Sequence, residues 1–274
     1  MAIVALSSNT NNFLSKYKLF ETDEVQQVQL QHRLELVEAF GIIKGMRVLE
    51  IGCGQGDTSV ALADAVGNEG KVVAIDIASR DYGAPWTLGE ATDTIKKSAL
   101  GERITFHFET DLETFESSEI FDVAVLSHCS WYFKRPEDLL AYFHKLRKIA
   151  KNIRLAEWDL DFIYLSQRPH FFAASILALH ANFVQNDGNI QNLFHKKQIQ
   201  KLLEKAGFQS IKEGNVDATY LQDGLWEKNY ANSIRSDFIS APPMIQTLVT
   251  SFYEQMNVTS EEDLSLNSFV LSGM

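Results

Sequence analysis

The sequence predicts an α/β fold on a doubly wound, mostly parallel sheet. Three observations carry this. From Arg47 onward, short runs rich in Val and Ile alternate with amphipathic stretches, the rhythm of parallel strands covered by helices on both faces. One run, Val48-Leu49-Glu50-Ile51, passes into the glycine-rich turn Gly52-Cys53-Gly54-Gln55-Gly56 and then a helical pattern; open α/β sheets bind ligands at such strand ends. Finally, 274 residues, 45% apolar and 22% charged, make an ordinary globular composition able to bury a full core.

In chain order, residues 7–12 are polar and predict a loose lead-in. Asp23–Phe40 predicts a helix with Val25, Val28, Leu36, Val37 and Phe40 on its apolar face, closed by Gly41. The alternation then reads strand Arg47–Ile51, helix Asp57–Val66, strand Lys71–Ile77, helix Ala91–Leu100, and strands Ile104–Phe108 and Phe121–Leu126. Helix Pro136–Ala150, with Pro in its first turn, precedes strand Ile153–Trp158. Beyond Trp158 the rhythm breaks. Asp161–Val184 is long, apolar and aromatic; His195–Ala206 reads as helix, Phe208–Val216 as strand, Leu221–Tyr253 as mostly helix around Pro242-Pro243, and Asn267–Gly273 as a last strand. The expected organisation is a helical segment over 1–40 and one α/β domain over 41–274, with helical insertions at about 160–190 and 220–258.

The charge balance, 25 basic against 36 acidic residues, leaves −11. Binding nucleic acid or anionic lipid needs clustered Lys and Arg, so neither nucleic-acid binding nor integral membrane association is expected. Cys53 and Cys129 form no disulfide framework and no CxxC pair, which points to a reducing, cytoplasmic setting. Residues 1–19 lack the basic-then-apolar order of a secretory signal. No uncharged apolar run approaches the roughly 18 residues of a membrane span. His170, His180 and His195 lack close ligand spacing, so no metal is expected.

The glycine turn is the most informative segment. A dinucleotide fingerprint would need its third glycine at position 57, where Asp57 stands. Asp57 is a natural helix N-cap, and its charge would oppose a pyrophosphate at the helix start. Glu50 adds a second carboxylate just before the loop. Two acids around a loop that ligands approach closely suit a guest with a cationic end, such as an amino-acid ammonium or a sulfonium. Cys53 reads as a small loop residue, since a glycine turn does not by itself activate a thiol.

Glu50-Ile51-Gly52-Cys53-Gly54-Gln55-Gly56 resembles the first motif of the class I S-adenosylmethionine-dependent methyltransferases. Three further stretches resemble later motifs in the same order: Val72–Ile77 ending at Asp76, Asp111-Leu112 after the third strand, and Phe121–His128. The likeness covers roughly residues 40–160, with a further similarity over 190–208. It implies a Rossmann-like, seven-stranded sheet with helical insertions forming a lid, and S-adenosyl-L-methionine as cofactor. It also implies that Glu50, Gly52, Cys53, Gly54 and Gly56 lie under the methionine part. Asp76 would chelate the ribose hydroxyls with Ile77 beside it, Asp111 and the Leu112 backbone would meet the adenine, and Ser127 is a further expected cofactor-binding residue. Leading helices of related small-molecule enzymes fold over the cofactor, which makes the 1–40 segment a lid and Tyr17, His32 and Arg33 lid candidates. The loop 78–87 is longer than usual; its Tyr82 and Trp86 either wall the adenine or pack the loop, and it stretches the interval from Asp76 to Asp111.

The acceptor side is read from strand ends. His128 follows the fourth strand in Ser127-His128-Cys129-Ser130-Trp131-Tyr132-Phe133, and Glu157 ends the fifth; these are the candidate catalytic residues. The stretch does not match the Asn-Pro-Pro-Tyr motif of many DNA and protein amine methyltransferases, so a small-molecule acceptor is expected, on a monomer or homodimer. The aromatic run Phe162–Phe183 either lines an apolar pocket or packs as helix. Three alternatives remain open: a lipid-modifying enzyme resembling cyclopropane fatty-acid synthases, a nicotinamide-dependent oxidoreductase, and a non-catalytic protein that senses or stores the same cofactor.

Overall fold

The computed structural model describes residues 4–184, 186, 188–258 and 263–274, so parts of the expected lid and of the first insertion lie outside the described residues. Helices α1 (Ser8–Tyr17) and α2 (Glu24–Phe40) open the chain. Next come β1 (Arg47–Ile51), α3 (Asp57–Val66), β2 (Lys71–Ile75), α4 (Leu88–Lys97), β3 (Ile104–His107), β4 (Phe121–Ser127), α5 (Pro136–Ile149) and β5 (Ala150–Trp158). The remainder is α6 (Arg168–His180), α7 (Lys196–Lys205), β6 (Lys212–Val216), α8 (Asp223–Ser233), α9 (Pro243–Met256) and β7 (Ser268–Gly273).

The strands form one seven-stranded sheet in the order β3-β2-β1-β4-β5-β7-β6. β1 to β5 pair in parallel, while β7 runs antiparallel to both β5 and β6. Side chains sort by strand alternation. Val48, Val72, Val123 and Val125 face a core shared with α1, α2 and α3. Leu49, Ile75, Ala124 and Leu126 face the opposite core under α5, α6 and α7. β7 packs beside β5 with Trp158 opposite Ser268, so the start of β7 lies at the carboxyl end of the parallel strands.

Several boundaries differ from expectation. The polar lead-in is helical: Ser7 caps α1, and Thr10, Phe13 and Tyr17 are buried, so tertiary packing overrides a polar composition. Asp57 is the first helical residue, and Gly56, at φ +93°, occupies the cap. β2 stops at Ile75 and leaves Asp76 and Ile77 in the following turn. α4 starts at Leu88, where Thr87 and Glu90 form a capping box. β6 is shortened to Lys212–Val216. Within the insertions α6 packs on α8 and α9. Phe162, Phe171, Phe172 and Phe252 contact one another in series; they build helix packing.

Candidate active site

The glycine turn leaves β1 at the carboxyl edge of the sheet. Gly52 sits at φ +70°, and a Cβ there would stand 2.9 Å from Cys129 Cβ. Gly54 sits at φ +53°, and a Cβ there would meet nothing within 4 Å; this is the open side of the loop. The Gly54 N–H donates to Asp76 Oδ2 at 2.8 Å, and the Ala78 N–H donates to Oδ1 at 2.9 Å. A carboxylate offers about four acceptor positions, so these bonds fix its plane and leave others for a diol.

Ile77, beside Asp76, is 69% exposed, an apolar surface suited to a flat ring. The Thr110 N–H donates to the Asp76 carbonyl at 2.9 Å, which brings the Asp111-Leu112 turn next to Asp76 despite the stretched interval. Asp111 Oδ1 accepts from Tyr142 Oη at 3.0 Å and from the Glu113 N–H at 2.8 Å. The Leu112 side chain is buried, so only its backbone is placed to meet a base. The long loop lies over the glycine turn, with Gln55 Nε2 donating to the Trp86 carbonyl at 2.7 Å; Tyr82 and Trp86 are exposed there.

Glu50 is buried behind the loop and accepts from Ser59 Oγ at 2.5 Å. Burial pushes its carboxyl up to about 8, with Asp57 and Asp76 adding to the shift and Ser59 and Arg33 opposing it. Burial also pushes the Cys53 thiol far up, so it stays protonated and inert. Tyr17 is not brought to this edge. Its hydroxyl donates to Asp64 near the far end of α3, seven residues and so about 10 Å along the axis from Asp57. The physical reason is that α1 buries Phe13 and Tyr17 against the α2–α3 layer.

β4 ends at Ser127, whose hydroxyl is buried without a hydrogen-bond partner. His128 follows at φ +51°, an uncommon conformation for a side-chain-bearing residue at a strand end. Its Nε2 lies 3.1 Å from Ser268 Oγ in a hydrogen bond, while its Nδ1 lies 3.3 Å from Glu157 Oε1 without an aligned one. Burial lowers the His128 pKa, and Glu157 partly restores it, so the ring is neutral near pH 7.

Glu157 is 1% exposed. Its Oε2 accepts from the Ser130 N–H at 3.0 Å, Ser130 Oγ at 2.8 Å and the Trp131 N–H at 3.3 Å, and its Oε1 accepts from the Trp158 N–H at 3.1 Å. The Glu157 carboxylate, expected as a catalytic group, is therefore occupied as the anchor of the loop after β4.

A cavity of about 170 Å³ lies beside these groups, lined in part by Arg33, His128, Trp131, Glu157, Asp223 and Glu227. Asp223 and Glu227 on α8, and Ser268 on β7, escaped the sequence reading. The signal available was the antiparallel last strand, which returns its first residue to the crevice. His32 is fully buried beneath the cavity, 3.0 Å from Ser268 Oγ. Trp158 sits among the rings of His32, His128 and His170.

The sheet order, the glycine turn and the paired strand-end acids are those of a Rossmann-like methyltransferase fold. Residues 24–213 match the family described as methyltransferase domain, and the chain belongs to that family. Over 175 residues it is 30% identical to methyltransferase phomM of Diaporthe leptostromiformis, covering 54% of this chain and 45% of that protein; the chain thus spans about half the length of that relative. It resembles a cyclopropane-fatty-acyl-phospholipid synthase-like protein from Lactobacillus casei at 31% identity and TM-score 0.87, covering 97% of this chain and 98% of the other. It shares only the fold with phosphoethanolamine N-methyltransferase 2 of Haemonchus contortus in complex with S-adenosyl-L-methionine, at 16% identity and TM-score 0.54, covering 100% of this chain and 60% of that one. No helix among the described residues is long and apolar enough to cross a membrane.

Proposed function

We propose that this chain is a cytoplasmic, S-adenosylmethionine-dependent enzyme that methylates a small molecule. The observation that carries the reading is the bond between Gly54 N–H and Asp76 Oδ2 at 2.8 Å. It joins the glycine turn and the second-strand acid into one cradle, open at Gly54. The residues fit the cofactor. Asp76 retains acceptor positions for a ribose diol, Ile77 and the Asp111-Leu112 turn flank a place for adenine, and Gly52–Gly56 leave backbone room for an amino-acid end. Arg33, whose Nε and Nη1 are buried without hydrogen-bond partners, suits that end's carboxylate. When bound, the cofactor supplies a methyl carbon activated by a sulfonium. The chain's part is alignment and exclusion of water, with neutral His128 able to accept a proton at the cavity wall. The 1–40 segment and the two insertions serve as the cover in this reading. Two buried free thiols accord with a reducing compartment.

Calorimetry with S-adenosylhomocysteine tests the cradle. Asp76→Ala should weaken binding by about 1.5–3 kcal/mol, the scale of charge-assisted hydrogen bonds; unchanged affinity refutes the ribose role. The similarity to the Lactobacillus casei protein favours a second, lipid-directed reading. Transfer of labelled methyl to phospholipid vesicles separates the two.

A further inference from the structure

The cavity beside His128 holds buried polar atoms that the protein leaves unanswered. Trp131 is 2% exposed, lines the cavity, and its Nε1–H has no hydrogen-bond partner. Glu227 is 8% exposed, also lines the cavity, and its Oε2 has none. His170 Nε2 lies 2.9 Å from that oxygen, but the pair is not aligned for a hydrogen bond. His170 is itself oriented from behind, because its Nδ1 accepts the Leu266 N–H at 2.8 Å; the ring proton is therefore on Nε2, toward Glu227. Asp223 stands one helical turn before Glu227 and is held by Gln29 Nε2 at 2.7 Å. Buried polar groups without partners cost roughly 1–3 kcal/mol each, so a cavity that keeps several is built for a guest that answers them.

Charge and size narrow the guest. Glu157, Asp223 and Glu227 face one guanidinium, Arg33, and Glu157 is already satisfied within the protein. That leaves Asp223 and Glu227 to attract a donor of positive charge. About 170 Å³ is small beside the roughly 300–1,000 Å³ of ordinary ligand pockets. The phenylalanines that might have lined an acyl tunnel pack on each other instead.

Resting on the methyltransferase reading, we propose that the acceptor is a compact, water-soluble amine. Its nitrogen lies against Glu227 and Asp223, and an oxygen of the same molecule accepts from Trp131 Nε1–H. An acyl chain there would leave each of these groups buried and unpaired. In the transfer, the bound ammonium gives one proton to the Glu227 carboxylate. The freed nitrogen lone pair forms the bond to the methyl carbon as the carbon–sulfur pair returns to sulfur, and the product is the N-methylated ammonium. Burial raises the Glu227 pKa, which suits a group that receives a proton.

The test uses the full chain, methyl-labelled S-adenosylmethionine and two substrate sets. One contains 2-aminoethanol, 3-aminopropan-1-ol, glycine, β-alanine and their N-methyl derivatives; the other is vesicles of dioleoyl-phosphatidylglycerol. Label should enter at least one water-soluble amine and not the vesicles. Glu227→Gln should raise KM for that amine by about tenfold or more while S-adenosylhomocysteine affinity stays within about twofold. Trp131→Phe, which keeps the ring and removes the donor, should raise the same KM. Label in the vesicle lipid, no label in any amine of the set, or an unmoved KM in both variants overturns the proposal. Failure of the unmodified chain to bind S-adenosylhomocysteine overturns the methyltransferase reading itself, and calorimetry reads that separately.

Discussion

His32 and His128 share one hydroxyl: Ser268 Oγ lies 3.0 Å from Nε2 of the first and 3.1 Å from Nε2 of the second. A hydroxyl carries one proton, so it donates to one ring and accepts from the other. The direction follows from Glu157, whose Oε1 stands 3.3 Å from His128 Nδ1. Charge attraction, without an aligned hydrogen bond, favours the proton of neutral His128 on Nδ1 and leaves Nε2 the acceptor. Ser268 then donates to His128 and accepts from the Nε2–H of His32. Burial, with the charge of Arg33, holds the His32 pKa well below its usual value, so its ring stays neutral.

Ser268→Ala should leave two buried ring nitrogens unpaired. The expected loss is roughly 2–6 kcal/mol, from 1–3 kcal/mol for each unsatisfied group. Urea denaturation measures it, and a loss below about 0.5 kcal/mol would show that the shared hydroxyl contributes nothing.

Glu157→Gln should loosen the loop after β4. An amide nitrogen would face N–H donors of Ser130, Trp131 or Trp158 that the carboxylate now accepts. The expected destabilisation is about 2–4 kcal/mol, since hydrogen bonds to a charged group contribute roughly 1.5–3 kcal/mol each. The near-ultraviolet circular dichroism of Trp131 should change with it. A native spectrum and native stability would remove Glu157 from its anchoring role.

Two glycines a residue apart should respond differently to alanine. Gly54→Ala adds a Cβ that meets no protein atom, so its fold cost is the left-handed backbone alone, about 1–2 kcal/mol. Its cost to S-adenosylhomocysteine binding should be larger, tenfold or more, about 1.4 kcal/mol upward. Gly52→Ala adds a Cβ 2.9 Å from Cys129 Cβ, so its melting temperature should fall further. Equal affinity for wild type and Gly54→Ala would mean that no ligand approaches the loop there.

Glu50 predicts pH dependence. Its folded pKa, raised to about 8 mainly by burial, lies above the ordinary carboxylate value. Its contribution to stability is therefore complete below that ordinary value and is lost as pH climbs to about 8. A ligand bringing an ammonium to the glycine turn would lower this pKa, so binding near pH 7 should release a proton. Calorimetry of S-adenosylhomocysteine binding in two buffers of different ionisation enthalpy reads the release, which should vanish in Glu50→Gln. Identical proton release in that variant would assign the proton to another group.

Much of this was legible along the chain. Strand alternation, the glycine turn and the acids at Glu50, Asp76 and Asp111 are local signals, because backbone preference and side-chain periodicity act within a few residues. They sufficed for the fold and the family. They misplaced Tyr17, because its destination depends on which face α1 buries, and they misread residues 7–12, whose helix is held by burial of Thr10, Phe13 and Tyr17.

The acceptor side belongs to the tertiary structure. Ser268 meets His32 and His128 only because β7 runs antiparallel and begins opposite Trp158, and direction and register are settled by burial across the whole sheet. Glu227 and Asp223 reach the cavity only because α8 packs on α6. Glu157 serves as an anchor because donors from another loop surround it. Such contacts join residues scores of positions apart, and no short-range preference encodes them.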